Sequence, residues 1–385
     1  MIKTLASLTL SLGIAFGTFL PAFSLVPLEV VSPDPQQELG LDEQIWRNSN
    51  QKGDKQALLT SIANSLRYLR SPKAVQAYGR YRVAGITRDR VIRSLERFKQ
   101  LVLTSDSPEE LQAAVGREFV FYQAIGKDSQ GTVGFTGYFE PTYTGSRRRT
   151  AEYRYPLYRL PANFGNWSRP HPTRLQLEGE DGMSGNGRLR GLELVWLRDR
   201  LEAFLVQIQG SARLQLTDGS VMTVGFAGKT NQPYRSIGRE LVNDRKMQLE
   251  GLTLPAVIEY FKSSPEEMNR YLPRNPSFVF FRETGGATAT GSLGVPVTAE
   301  RSIATDKSLM PPGALALIHA QIPYPNRNGD LEQRRVSRYV LDQDTGGAIK
   351  GPGRVDIFMG TGTLAGDRAG LINSTGELYY LLLKD

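Results

Sequence analysis

Residues 341–360, LDQDTGGAIKGPGRVDIFMG, hold two aspartates in different settings. Asp344 opens Asp344-Thr345-Gly346, the tripeptide that carries the catalytic carboxylates of aspartic proteases, and Asp356 follows twelve residues later inside VDIF. An aspartic protease needs two such turns, because its two carboxylates share one proton. The chain has the tripeptide once and no Asp-Ser-Gly, and its 385 residues far exceed the short protomers of a symmetric dimeric protease. Asp356 points to other chemistry. It alternates with Val355 and Ile357, so a strand there directs its carboxyl away from the face of those aliphatics. Apolar surroundings and a second carboxylate both oppose ionisation and raise a carboxyl pKa. A carboxyl group still protonated near neutral pH is what protonating a glycosidic oxygen requires. The same pattern also fits a strand aspartate that caps a neighbouring turn.

The rest of the composition narrows the chemistry by elimination. The chain has no cysteine, which removes thiol nucleophiles, thiolate metal sites, disulfides and any lipid-bearing cysteine. His171 lies between prolines and His319 follows the apolar run ALALI; these are the only histidines, and neither has an obvious catalytic setting. Acid-base chemistry therefore falls to carboxylates. No metal-ligand cluster stands out, so neither a metal nor another cofactor is expected. A formal charge of +8 favours an anionic partner such as peptidoglycan, lipid headgroups or nucleic acid. The one dense basic cluster, GSRRRT at 145–150, reads as a solvated loop tip.

Hydrophobic content of 40% in 385 residues suits a globular protein with a sizeable core and two domains. Residues 1–24 combine Lys3, an apolar stretch and Ala22-Phe23-Ser24, the pattern of a cleaved signal peptide; an uncleaved anchor is the alternative. Residues 25–41, rich in proline and polar groups, read as a linker. From 42 to 125 helical spacing dominates, as in Leu58, Leu59, Ile62, Leu66 and Leu69, and Ser107, Pro108 and Glu110 spell a capping-box start. A second capping start reads at SSPEEMNRYL. Glycine-punctuated alternation from Gly131 through FLVQIQGSARLQLTDGSVMTVGFAG indicates strands, with Asp218-Gly219 as a type I′ hairpin turn. Helices return near 234–272, and short strands dominate from NPSFVFF to the end.

FTGYFEP (135–141), VQIQGSARL, VGFAGKTNQPYRSIGREL, NPSFVFF, SLGVPVTAERSIATD and DTGGAIKGPGRVDIFMGTGTLAGDRAG, in this order, resemble the membrane-bound lytic transglycosylase A family, the last blocks its three-aspartate (3D) domain. The resemblance covers most of the chain from Ser107 onward. It implies a mainly β fold with N-terminal helices (α+β): a double-psi β-barrel domain, a second β-domain inserted into it, and a groove between them for a glycan strand. The expected division is 42–135 for the N-terminal helices and first part of the barrel, 136–274 for the insert, and 275–385 for the C-terminal barrel. The family's three aspartates fall on Asp306, Asp344 and Asp356, with Asp356 as the single acid/base and the other two tuning its pKa. The resemblance further implies cleavage of the β-1,4 bond between N-acetylmuramic acid and N-acetylglucosamine without water as nucleophile, leaving 1,6-anhydromuramoyl ends.

For sugar binding, Gln207 and Gln209 alternate with Val206 and Ile208 and share a strand face, next to Ser211; a solvent-facing strand edge fits the same pattern. Tyr138 and Glu140 precede a proline turn, where an aromatic ring can stack on a sugar face. Tyr234 and Lys350 complete the set, and GTGTLAG at 360–366 reads as a tight turn bordering the groove rather than a nucleotide loop. Two alternatives stay open: a non-catalytic wall-binding or wall-loosening module, and a hydrolase pairing Asp356 with Glu140. The expected partner is a peptidoglycan strand, with cell-wall remodelling proteins as further candidates; nucleic acid is not expected, and a monomer is. Members described as membrane-bound carry a lipidated cysteine that this chain lacks. It is therefore expected in the periplasm, soluble or held at the outer membrane or wall by its basic surface, and not as a lipoprotein.

Overall fold

The computed structural model describes residues 26–32, 38–46, 53–183 and 187–385. The expected signal peptide lies outside the described residues. Part of the expected linker is a strand: Leu28–Val31 pairs antiparallel with Phe121–Ala124 and buries Leu28. Among the described residues, no helix is long and apolar enough to cross a membrane.

Six strands close into a barrel. Around its circumference run Val133–Glu140, Asn373–Leu383, Leu315–Pro325, Leu331–Asp344, Ser302–Ala304 and Arg354–Thr361, which returns to Val133–Glu140. Two of these contacts are parallel, Ser302–Ala304 with Leu331–Asp344 and Arg354–Thr361 with Val133–Glu140. Parallel neighbours need crossover connections, so the barrel cannot be a simple meander. Its interior takes alternate residues: Val355 and Ile357 are fully buried in one core with Phe135, Ile303 and Leu317, while Asp356 between them faces outward.

Four helices, Lys55–Leu69, Pro72–Arg80, Arg88–Thr104 and Pro108–Glu118, lay their apolar sides on this core. Ser107 caps the last of them, accepting from Glu110 N–H at 3.2 Å. The return bond of a capping box goes one residue astray, since Glu110 accepts from Asp106 N–H rather than from Ser107. SSPEEMNRYL yields a single short helix, Glu267–Tyr271, with no side-chain cap.

At Pro141 the chain passes straight from the barrel into a second sheet, ordered Tyr155–Tyr158, Glu193–Leu197, Thr142–Ser146, Ser211–Leu216, Val221–Lys229 and Val279–Glu283. The chain therefore changes sheets at Pro141 and after Glu283. The hairpin at Asp218-Gly219 forms with a different turn. Leu216 N–H donates to Ser220 C=O and Gly219 N–H to Leu216 C=O, and only Gly219, at φ 84°, is left-handed. This is a three-residue loop with a glycine bulge; a type I′ turn would need positive φ at Asp218 as well.

FLVQI is not a strand. Arg200–Gln209 is an α-helix, capped by Asp199, whose Oδ1 accepts from Leu201 N–H at 2.6 Å, and stopped by Gly210 in the left-handed region. Ala203 and Val206 pack on the second sheet while Leu201, Phe204 and Leu205 pack on helices at Ile237–Asn243 and Leu254–Ser263. A short helix buried on two sides is apolar around most of its circumference, and five residues of it mimic alternation.

Candidate active site

Asp356 lies at the middle of three hydrogen-bonded strands. It stands opposite Thr136 on one side and Ala304 on the other, and keeps part of its surface open to solvent. Thr136 Oγ1 donates to Asp356 Oδ1 at 2.8 Å and accepts from Arg354 Nη2 at 2.9 Å. Burial pushes the Asp356 carboxyl up to about 6; the Thr136 bond and the Arg354 charge pull against it, and the charge of Asp344 adds to the rise. A carboxyl with that pKa populates both proton states near neutral pH.

Asp344 ends the long strand on the far side of Ser302–Ala304 and is held by three donors: Tyr138 hydroxyl, Ser292 N–H and Thr345 N–H, each at 2.8 Å. Burial raises its pKa too. Tyr138 shares the outward face of its strand with Thr136, and its ring packs against Phe358, centroids 5.2 Å apart. Burial, then the charge of Asp344, keeps its hydroxyl protonated. Asp306 does a different job. Its Oδ1 accepts from Ser308 and its Oδ2 from Gly351 N–H at 2.9 Å, which ties down the turn leading into the Asp356 strand. Burial alone would raise its pKa, but these bonds overcome it and lower it. The three aspartates thus belong to one region of the barrel, and Asp356 senses the charge of Asp344.

The second sheet reaches this region through the end of Val221–Lys229 and the loop after it. A methyl group on Gly347 would lie 3.0 Å from Lys229 Nζ and 3.7 Å from Tyr234 Cβ, so the glycine turn after Asp344 is in contact with the other sheet. Burial raises the Tyr234 pKa and the charge of Asp356 adds to it. Lys350 is exposed; burial, followed by the charge of Lys350, lowers the pKa of Lys229.

The expected amide pair does not form. Gln207 is in a helix, buried, and its Oε1 accepts from Arg174 Nη2 at 2.9 Å and Val279 N–H at 3.1 Å, within the protein. Gln209, also helical, keeps some exposure and accepts from Phe139 N–H at 3.0 Å, which fixes the helix end to the strand bearing Tyr138. Ser211 begins the following strand and is nearly buried. Glu140 is 1% exposed, accepts from Thr361 Oγ1 at 2.8 Å and lies 3.8 Å from Arg213. It sits four residues along the strand from Thr136, the partner of Asp356, which is about 13 Å. Glycosidase carboxyl pairs stand roughly 5 to 9.5 Å apart, so Glu140 is too distant and too enclosed to pair with Asp356. The GTGTLAG turn has two left-handed glycines, Gly360 and Gly362, and leads into a helix, Thr363–Leu371.

Several groups at the site were missed by sequence reasoning. Thr136 was visible in principle, because period two along VGFTGYFE puts it on one face with Tyr138. Arg354 lies two residues before Asp356 and follows the same rule. Lys229, Ser292 and Asp342 had no local signal. Asp342 is fully buried, with Thr305 and Tyr380 donating to it at 2.7 and 2.8 Å and Lys307 paired to it. Among the described residues no cluster of three or more His, Asp or Glu side chains could hold a metal ion.

The MltA specific insert domain matches residues 134–282 and the 3D domain residues 301–382. The membrane-bound lytic murein transglycosylase A of Escherichia coli K12 is 33% identical over 262 residues, 68% of each chain. The chain belongs to the membrane-bound lytic murein transglycosylase A family. The Vibrio cholerae member is 32% identical over 292 residues, 75% of each chain. Among solved structures, a membrane-bound lytic murein transglycosylase from Agrobacterium tumefaciens aligns with TM-score 0.71 and 26% identity, covering 92% of this chain and 97% of its own. The E. coli MltA structure with bound chitohexaose aligns with TM-score 0.68 and 26% identity, covering 93% and 95%. These alignments agree with the fold class read from the sequence, a mainly β lytic transglycosylase A fold of barrel, second sheet and helices.

Thr136→Val tests the electrostatics of the site directly. The Thr136 bond favours ionised Asp356, so its loss raises the acid's pKa. The alkaline limb of the kcat/KM profile is expected to move to higher pH by up to about one pH unit, the scale of one hydrogen bond. A profile unchanged within error would mean that Asp356 does not set that limb.

Proposed function

We propose that the protein cleaves the β-1,4 bond between N-acetylmuramic acid and N-acetylglucosamine of peptidoglycan and leaves 1,6-anhydromuramoyl ends. The observation that carries this reading is a single partly open carboxyl, Asp356, with a pKa of about 6, while the oxygens of Asp344 are taken by Tyr138, Ser292 and Thr345 and Glu140 is enclosed. Protonated Asp356 gives its proton to the bridging oxygen as the bond to the anomeric carbon breaks. The resulting carboxylate takes the proton of the muramoyl C6 hydroxyl, whose oxygen bonds to the anomeric carbon, so no water is consumed. One group serves twice because its pKa suits both roles. Asp344 adds negative charge near the developing cation and keeps Asp356 protonated, Tyr138 holds Asp344, and Asp306 positions the Gly351 turn.

The chitohexaose held by the E. coli relative supports a glycan strand as ligand, lying where Tyr234 and Lys229 of the second sheet face the barrel. Gln209 and Ser211 flank that region, while Gln207 acts in positioning their helix and sheet. The domain division that goes with this reading is a barrel interrupted by an insert from Pro141 to Glu283. Export to the envelope and action as a monomer complete it. Purified protein incubated with murein sacculi is expected to release products lighter by one water than reducing ends, resolved by mass spectrometry. Reducing ends that incorporate labelled water would overturn the transglycosylase step.

A further inference from the structure

Beside the acid the barrel carries a second feature that cleavage of the glycan does not use. A cavity of about 470 Å³ opens between the start of the Asp356 strand, the start of the Thr136 strand and the beginning of the last strand. Lys127, Arg335 and Arg354 line it, together with neutral Gln321 and Asn373, and no acidic side chain does. Lys127 and Arg335 are exposed, and neither has an ion pair within 4 Å among the described residues. Glu377 is the carboxylate on which the charge of Arg335 acts, and it already lies 3.6 Å from His319. Arg354 spends Nη2 on Thr136, while its Nε is buried without a hydrogen-bond partner. The carboxylates that feel these charges, Asp356 for Arg354 and Glu377 for Arg335, lie outside the lining, so within the cavity the three cations repel each other and an anion among them relieves that repulsion.

The cavity adjoins the reaction centre. Arg354 and Asp356 point from the same strand face, about 7 Å apart along the chain. Sugar hydroxyls and N-acetyl groups are neutral, so the anions that intact murein offers are the carboxylates of the peptides on its muramoyl residues. We propose that this cavity takes a carboxylate of the peptide borne by the muramoyl residue under attack, so that the protein reads the peptide stem as it cuts the glycan. The inference rests on the transglycosylase reading above. It makes the peptide a determinant of substrate affinity, with the gain concentrated in KM.

Soluble murein strands can be compared with the same strands after carbodiimide and ammonia have converted peptide carboxylates to amides, which removes the charge and keeps the bulk. The wild type is expected to prefer the native strands by about tenfold in kcat/KM, the scale of a charge-assisted contact. In the K127A/R335A double variant that preference should fall close to one, and Arg335→Lys with Lys127 retained should restore most of it. Equal rates on both substrates for the wild type, or a preference that survives in the double variant, would overturn the proposal. Absence of anhydro products from native strands would instead reject the transglycosylase reading.

Discussion

Asp356→Asn is expected to abolish murein cleavage, with a loss of at least about a thousandfold in kcat, and to raise stability at neutral pH. The rate loss follows from the double use of one group, since acid-base catalysis is worth roughly 10² to 10⁴ and both proton transfers fail together. The stability gain follows from the same environment. Burial lifts the carboxyl from 3.8 to about 6, so the folded state holds the proton more tightly than the unfolded chain. That contribution to stability is complete below about pH 4 and is lost as pH rises through 6. At pH 7 the wild type therefore bears an ionised carboxylate that the fold disfavours, and asparagine removes that cost. At 1.36 kcal/mol per pH unit, reduced for partial exposure, the variant should gain about 2 kcal/mol at pH 7 and nothing at pH 4. Denaturant titrations at the two pH values measure it. A variant that is inactive and also less stable at pH 7 would point to a structural role instead.

Arg301→Ala is expected to cost roughly 3 to 5 kcal/mol of stability. The Arg301 side chain is 0% exposed and joins the barrel to the segment ahead of the helices: Nε and Nη2 donate to the Asp54 carboxylate at 2.8 and 2.6 Å, and Nη1 to Asp42 and to Tyr339 C=O. Asp42 is 1% exposed and in turn accepts from Tyr339 N–H at 3.0 Å. Alanine takes from two carboxylates the cation they share and leaves a void in its place, with Arg338, 3.7 Å from Asp42, the cation still near, which is the costly way to break a buried ion pair. Adding Asp42→Asn and Asp54→Asn to the variant should recover part of the loss by removing the uncompensated charges. Urea unfolding followed by circular dichroism reads both. A single variant within 1 kcal/mol of wild type would mean that water reaches the cluster freely.

The placement of the acid was legible because it depends on a local rule: VDIF alternates, Val355 and Ile357 enter the core, and Asp356 must face away. Its pKa needed more than alternation, namely burial, the opposing pull of Thr136 and Arg354 across and along the strands, and the charge of Asp344 two strands away. Thr136 lies 220 residues from Asp356 in the chain, and no local pattern pairs them. The error at Gln207 has a physical cause. Alternation over VQIQ competed with stronger boundary signals, an N-cap aspartate at Asp199 and a left-handed glycine at Gly210, whose separation matches a three-turn helix. Glu140 illustrates a further limit: a carboxylate beside a proline looks available in sequence, and only the neighbouring strand end and Arg213 reveal that it is enclosed.

The parallel pairing of Arg354–Thr361 with Val133–Glu140 also governs when the acid is assembled. Contacts between distant segments form late, because long loops must close before those contacts return any free energy. The second sheet lies wholly within that loop and is built from nearer neighbours such as Ser211–Leu216 with Val221–Lys229. It can form while the barrel is still open. The acid's hydrogen bond to Thr136, and the last strand that seals the ring next to it, exist only after the C-terminal residues are in place. A chain that has not yet brought residues 354–361 against residues 133–140 therefore has no assembled acid.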